Sequence, residues 1–184
     1  MTRLEELNVF LKNRTAIATE QIVWTEVASI FKVNTYLGTD LPPLELVSSV
    51  RGIFTDSERV MLMRNTDETH IMPGGRREPG ETFEQTLSRE IAEETGWLTG
   101  HYQVLGFWHF HNIAIRPAEI ADKHPGDFLQ LIYVAWPIEF RPDLKLADDY
   151  EVESRFVSVQ EILAMTFNPP SQLLFLSAAL GQSG

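Results

Sequence analysis

Apolar residues recur along this chain with two different periods, and the change of period divides it. Leu4, Leu7, Phe10 and Leu11 fall at helical spacing, and Val23, Val27, Ile30 and Phe31 repeat it more weakly, so helices are expected in the first 40 residues. Gly38-Thr39-Asp40-Leu41-Pro42-Pro43 breaks that pattern. It separates an expected N-terminal extension, residues 1–45, from a main domain, residues 46–184. From Val47 the pattern changes to strands. VSSVRGIF and RVMLMRN flank the polar Thr55-Asp56-Ser57-Glu58, which predicts a hairpin. THIM then runs into Pro73-Gly74-Gly75, a stop that strands tolerate at their ends. YQVLGFWHFHNIAI and FLQLIYVAWPIEF, rich in β-branched and aromatic residues, predict two more strands around the loop RPAEIADKHPGD. A short strand is expected to end DDYEVESRFVSV, followed by a helix at QEILAMTF and, after Asn168-Pro169-Pro170-Ser171, a last helix at QLLFLSAAL. Strands and helices mix without a regular alternation, so the fold class is α+β with a mixed sheet.

The segment GGRREPGETFEQTLSREIAEETGW carries the densest charge in the chain. Thr82-Phe83-Glu84-Gln85 fits a capping box, and Gly96 is a natural residue just past a helix end, so a helix is expected from Phe83 to Thr95. With Phe83 at 0°, Leu87 falls at about 40° and Ile91 at about 80°, which makes a buried stripe. A run of glutamates is ordinarily a solvated face, and such a face belongs at about 220°. Instead Glu94 falls at about 20° and Glu90 at about 340°, beside the stripe, with Glu93 at about 280°. Carboxylates aimed at a half-buried surface need a positive partner. The segment has no lysine, and Arg89 falls at about 240° by the same count. A divalent metal is the expected counter-charge, and oxygen-only ligands select a hard ion, Mg²⁺ or Mn²⁺.

Charge and composition narrow the partners. There are 26 acidic and 15 basic residues, for a net charge of −11, which argues against a nucleic acid polymer, held as such polymers are by Lys and Arg on phosphates. A small phosphorylated ligand remains compatible if cations bridge it to carboxylates. Cysteine is absent, so disulfides, thiolate metal sites and thiol nucleophiles are excluded. No apolar run approaches the roughly 20 residues a membrane span needs, and the first residues lack a secretory pattern. No membrane association and a cytoplasmic location are expected.

Gly75, Glu81, Arg89-Glu90, Ile91, Glu93-Glu94, Gly96 and Trp97, at these spacings, resemble the Nudix box with every fixed position filled. The apolar strand entering Pro73-Gly74-Gly75 and the segment EVESRFVSVQEI extend the resemblance on either side. It implies a Nudix fold, an α/β/α sandwich around a mixed sheet, and Mg²⁺-dependent hydrolysis of a diphosphate linkage in a nucleoside diphosphate joined to another group. It also implies Glu90, Glu93 and Glu94 as metal ligands, with the Gly75 carbonyl joining them. Arg89 would orient a glutamate, and Glu81 would pair with Arg89 to brace the loop. A general base outside the box is expected at Glu151, with Asp149, Glu153, Glu119, Asp122 and Asp127 as alternatives. ADP-ribose or a nucleotide sugar is the leading substrate class and a nucleoside triphosphate the alternative. A non-catalytic nucleotide-sensing module is the reading of another class, and the intact box opposes it.

Other residues complete the candidate site. Arg76 and Arg77, in the box loop, and Arg51 and Arg64 are candidates for outer phosphates. His109 and His111 share one face of a strand by alternation, so His109 is expected to face the substrate. Trp108 and Phe110 then face the other way, into the core. The extension, residues 1–45, is expected to serve as a homodimer contact or as a lid element.

Overall fold

A computed structural model describes residues 2–25, 29–115, 119, 126–146 and 151–181. Alternation, not helical period, governs the stretch after the first helix. Helix α1 (Arg3–Leu11) forms as expected, opened by a capping box between Thr2 and Glu5, and it buries Leu7. The helix expected around Val23, Ile30 and Phe31 is instead a hairpin of β1 (Ala18–Trp24) and β2 (Ser29–Leu37); Val27 lies outside the described residues. The physical reason is visible in the side chains. Phe31 and Val33 are buried two apart on one face of β2 while Lys32 between them is exposed, a period that a helix cannot present.

Joining β1 and β2 are β3 (Val47–Phe54), β4 (Arg59–Asn65), β5 (Thr69–His70), β6 (Trp97–Asn112), β7 (Asp127–Phe140) and β8 (Glu151–Ser158). They form a five-stranded sheet in the order β1-β2-β6-β7-β3 and a three-stranded sheet in the order β5-β4-β8. Among the described strands only β3 and β7 pair in parallel, so the larger sheet is mixed. The predicted turn at Thr55–Glu58 is present. Asp56 accepts from the Glu58 and Arg59 amides, and Thr55 Oγ1 donates to the Arg59 carbonyl. The strands it joins do not form a hairpin ladder, however. β3 pairs with β7 and β4 with β8, leaving a single bridge between Thr55 and Val60. Partner choice is decided by the whole sheet, where the short turn is outweighed.

Helix α2 (Phe83–Thr95) matches its expected bounds, with Thr82 and Gln85 in a reciprocal capping box and Gly96 left-handed at φ 75°. Phe83, Leu87 and Ile91 are buried, against Val50, Phe54, Leu131 and Tyr133 of the sheet. Leu7 of α1 belongs to the same cluster. The opposite face packs Trp108, Phe110, Phe31 and Val33 against α4 (Gln172–Gly181), which follows the short α3 (Val159–Leu163). Helices therefore cover both faces of a mixed sheet. No described helix is long and apolar enough to cross a membrane.

Candidate active site

The loop ahead of α2 is built onto β3, the edge strand of the larger sheet. The Gly52 amide donates to the Pro73 carbonyl and the Val50 amide to the Gly75 carbonyl, both at 2.9 Å. Two glycines make this approach possible. A Cβ on Gly74, whose φ is 140°, would lie 2.3 Å from the Val50 carbonyl oxygen. A Cβ on Gly75 would lie 2.3 Å from Glu90 Oε1 and 2.6 Å from Oε2, so the missing side chain is the space the Glu90 carboxylate occupies. The Gly74 amide in turn donates to Glu94 Oε2 at 3.0 Å. The loop and the helix thus hold each other through two of the three clustered glutamates.

Arg89 ties the remainder together and pairs with Glu81 as the resemblance implies, although the helical wheel puts its backbone away from the glutamates. Its backbone lies on the outer side of α2, but the long side chain turns back. Nε donates to Glu81 Oε1 at 2.8 Å and Nη2 to Glu81 Oε2 at 3.2 Å, while Nη1 reaches Glu90 Oε1 and Glu93 Oε2, each at 3.0 Å. Nη2 also donates to the Arg76 carbonyl. Thr86 Oγ1 and the Glu78 amide donate to Glu81 as well. The Arg89 guanidinium and these donors hold the Glu81 carboxyl down at about 2. The same bonds, first of all the one to Glu81, raise Arg89 above its ordinary value.

One guanidinium does not balance this cluster. Three carboxylates, Glu81, Glu90 and Glu93, meet around Arg89, a fourth, Glu94, accepts from the Gly74 amide of the same loop, and Arg51 acts on Glu90 through space. Burial pushes the Glu90 carboxyl up despite both arginines. A half-buried set of oxygen donors with excess negative charge fits a hard divalent cation.

A cavity of about 380 Å³ opens on the sheet face opposite α1 and α2. Trp24, Arg51, Glu68, His70, Phe110 and Gln130 line it. Arg51 links the two regions: Nη1 donates to the carbonyl of Met72, the residue before Pro73-Gly74-Gly75. Burial raises the Glu68 carboxyl and drives the His70 imidazole down to about 3, the latter assisted by Arg51.

The structure brings together Gly75, Glu81, Arg89, Glu90, Glu93 and Glu94, and places Arg51 next to them. Arg76 and Arg77 are exposed, and the Arg77 guanidinium stacks over the Phe83 ring at 4.9 Å. Arg64 is paired with Glu153, which Arg155 also holds. His109 is not at this cavity. It lies on the other face of β6 from Phe110, with its Nε2 bound to Asp127 at 2.8 Å. Alternation placed the two faces correctly, but could not say which one the cavity opens on. Glu119 is exposed, and Asp122, Asp149 and the Glu151 side chain lie outside the described residues; the Glu151 backbone opens β8 opposite Asn65. Sequence reasoning missed Trp24, Glu68, His70 and Gln130. For Trp24 the available signal was its alternation with Ile22 in a strand, hidden by the helical reading.

Comparison with known proteins agrees with this construction. A family model described as the NUDIX domain matches residues 45–176. No curated protein matches the sequence. Among solved structures, a NUDIX hydrolase from Nitrosomonas europaea aligns with a TM-score of 0.56 and 22% identity, over 72% of this chain and 87% of that one. A Bacillus subtilis pyrophosphohydrolase aligns at 0.55 and 18% identity, over 86% and 96%. The NUDIX domain of Shewanella oneidensis NrtR, solved with ADP ribose, aligns at 0.55 and 17%, over 75% and 88%. These likenesses are of fold; the family model rests on the sequence itself, over most of the chain and across the whole glutamate segment. On that ground the chain belongs to the Nudix family of hydrolases.

Proposed function

We propose that this protein hydrolyses the diphosphate linkage of a nucleoside diphosphate joined to a second group, of the ADP-ribose or nucleotide-sugar class. Glu90, Glu93 and Glu94 would hold Mg²⁺, or Mn²⁺ in its place, with the Gly75 carbonyl as a further donor. The observation that carries this reading is the excess of carboxylates at the loop and helix, three of them on the single Arg89 guanidinium and Glu94 on the Gly74 amide, with Arg51 connecting them to a cavity it lines with aromatic rings. Two fold neighbours support it: one was solved with ADP ribose, and another is a pyrophosphohydrolase.

A bound ion supplies charge screening for the diphosphate and lowers the pKa of the attacking water. The rest is positioning by the chain's own groups. Glu81 fixes Arg89, which sets the orientation of Glu90 and Glu93, and the Gly74 amide sets that of Glu94. Arg51 is placed to take a phosphate oxygen between the carboxylates and the cavity. Trp24, half-buried in the cavity wall, offers an apolar face for a base or sugar. Glu151, at the start of β8, is the proposed general base.

The test is a panel of nucleoside diphosphate derivatives and nucleoside triphosphates incubated with Mg²⁺ and resolved by chromatography, beside the variant Glu94→Gln. Glutamine retains an oxygen for the Gly74 amide, so the loop should persist. We expect turnover by the wild type, on the order of a hundredfold loss or more in the variant, and an unchanged circular dichroism spectrum. Inertness of both proteins across the panel would overturn the assignment.

A further inference from the structure

On the sheet face away from the cavity, two imidazoles converge on one carboxylate. His109 and His111 project from the same side of β6, and Asp127, the first residue of β7, stands directly across from His111. His109 Nε2 and His111 Nδ1 each lie 2.8 Å from the same oxygen, Asp127 Oδ1. The ligand atoms of all three residues fall within 4.8 Å of one another. We propose that His109, His111 and Asp127 form a second metal site, taking a borderline divalent ion such as Zn²⁺, separate from the hard-ion site of the glutamates.

Donor chemistry separates the two sites. The glutamate cluster offers oxygen alone and suits Mg²⁺ or Mn²⁺, whereas two imidazoles and a carboxylate suit Zn²⁺ and its neighbours in the transition series. A Zn²⁺ ion sits about 2.0–2.2 Å from such nitrogen and oxygen atoms. One carboxylate oxygen faces a nitrogen of each imidazole; to ligate an ion at that meeting point each ring carries its proton on its other nitrogen, Nδ1 of His109 and Nε2 of His111, and both remain neutral imidazoles. Only small side-chain rotations are needed, because all three residues stand on paired strands that fix their spacing.

Burial gives the site a closed side and an open one. His109 is 8% exposed, whereas the His111 side chain is 50% exposed. The open side faces a groove of about 340 Å³ between α1 and the sheet, walled by Leu4, Leu7, Asn8, Lys32 and Asn34. The groove admits an ion and leaves room for water to complete its coordination. Lys32, the cross-strand neighbour of His111, is exposed, so its ammonium can remain in solvent. The site joins the end of β6 to the start of β7 beneath α1, so its role is to clamp those two strand ends together.

The experiment is Zn²⁺ titration of the full chain by calorimetry in millimolar Mg²⁺, which occupies the glutamates, with Co²⁺ absorption as the signature of imidazole ligation. We expect one Zn²⁺ equivalent to bind and to raise Tm. His111→Gln and Asp127→Asn should each weaken binding by about tenfold or more, and Glu94→Gln should leave it unchanged. His111 is exposed enough that its replacement does not threaten folding, and circular dichroism checks this. Absence of Zn²⁺ binding would reduce the triad to a hydrogen-bonded clamp and overturn the proposal. So would Zn²⁺ binding that survives His111→Gln or disappears in Glu94→Gln.

Discussion

At the scale of single residues, the site depends on an atom that is absent. Gly75 has no Cβ, and the Glu90 carboxylate fills the place where one would stand, 2.3 Å away. In Gly75→Ala the methyl therefore displaces the far end of the flexible Glu90 side chain, a shift that costs the fold little. Glu90 must swing out, and Arg89 Nη1 loses one of its two acceptors on α2. The expected outcome is a fall in apparent Mg²⁺ affinity of about tenfold or more, read from the Mg²⁺ dependence of turnover, with little change in Tm. An unchanged Mg²⁺ dependence would mean that Glu90 is not a ligand. This scale also shows how far a helical wheel can see. It placed Phe83, Leu87 and Ile91 inside and the glutamates beside them, because backbone direction alone decides that. It misplaced the Arg89 guanidinium, because a long flexible side chain ends well away from where its Cβ starts.

At the scale of elements, local signals were legible and non-local ones were not. Helix α2 could be bounded to the residue because its capping box, apolar stripe and terminal glycine all lie within its own sequence. The hairpin of β1 and β2 could not, since Val23, Ile30 and Phe31 fit a helical spacing by coincidence and pairing depends on β6, some 70 residues away. That pairing bears on the first 40 residues. Phe31, Val33 and Leu7 are almost wholly buried, and Glu20 accepts from both the amide and the hydroxyl of Ser171 at the start of α4. Losing one large core side chain costs about 2–5 kcal/mol, and a domain's whole stability is about 5–15 kcal/mol. A chain of residues 41–184 should therefore show no cooperative thermal transition by circular dichroism and should aggregate on a sizing column. A folded, monodisperse 41–184 fragment would contradict this. It also follows that deleting this segment cannot report on dimerisation, because the monomer itself depends on it.

For the molecule as a whole, a histidine in the cavity wall sets how folding responds to acid. His70 is 5% exposed, and its Nδ1 accepts from the Met72 amide. Burial, aided by Arg51, lowers its folded value to about 3, against 6.5 for the free group. As pH falls through 6.5 the unfolded chain takes up a proton that the folded protein refuses. Between those two values the unfolded state binds more protons, so stability rises with pH and falls on acidification. From pH 7 to pH 5 this one group should remove about 2 kcal/mol of unfolding free energy. The carboxylates held low by arginines, Asp56 and Glu153 among them, give up their share only at lower pH, whereas Glu68 and Glu90, raised by burial, act in the opposite sense, so the share of His70 is isolated by comparing the wild type with a variant. In His70→Asn the amide oxygen can still accept from Met72, while the titration is removed. Urea unfolding at pH 7 and pH 5 should then show a pH difference smaller by about 2 kcal/mol than in the wild type, whatever the variant's absolute stability. An equal difference in both proteins would place a protonated imidazole in the folded cavity, beside Arg51. Two cations would then face any ligand phosphate there, and the cavity's affinity for such a ligand would rise as pH falls.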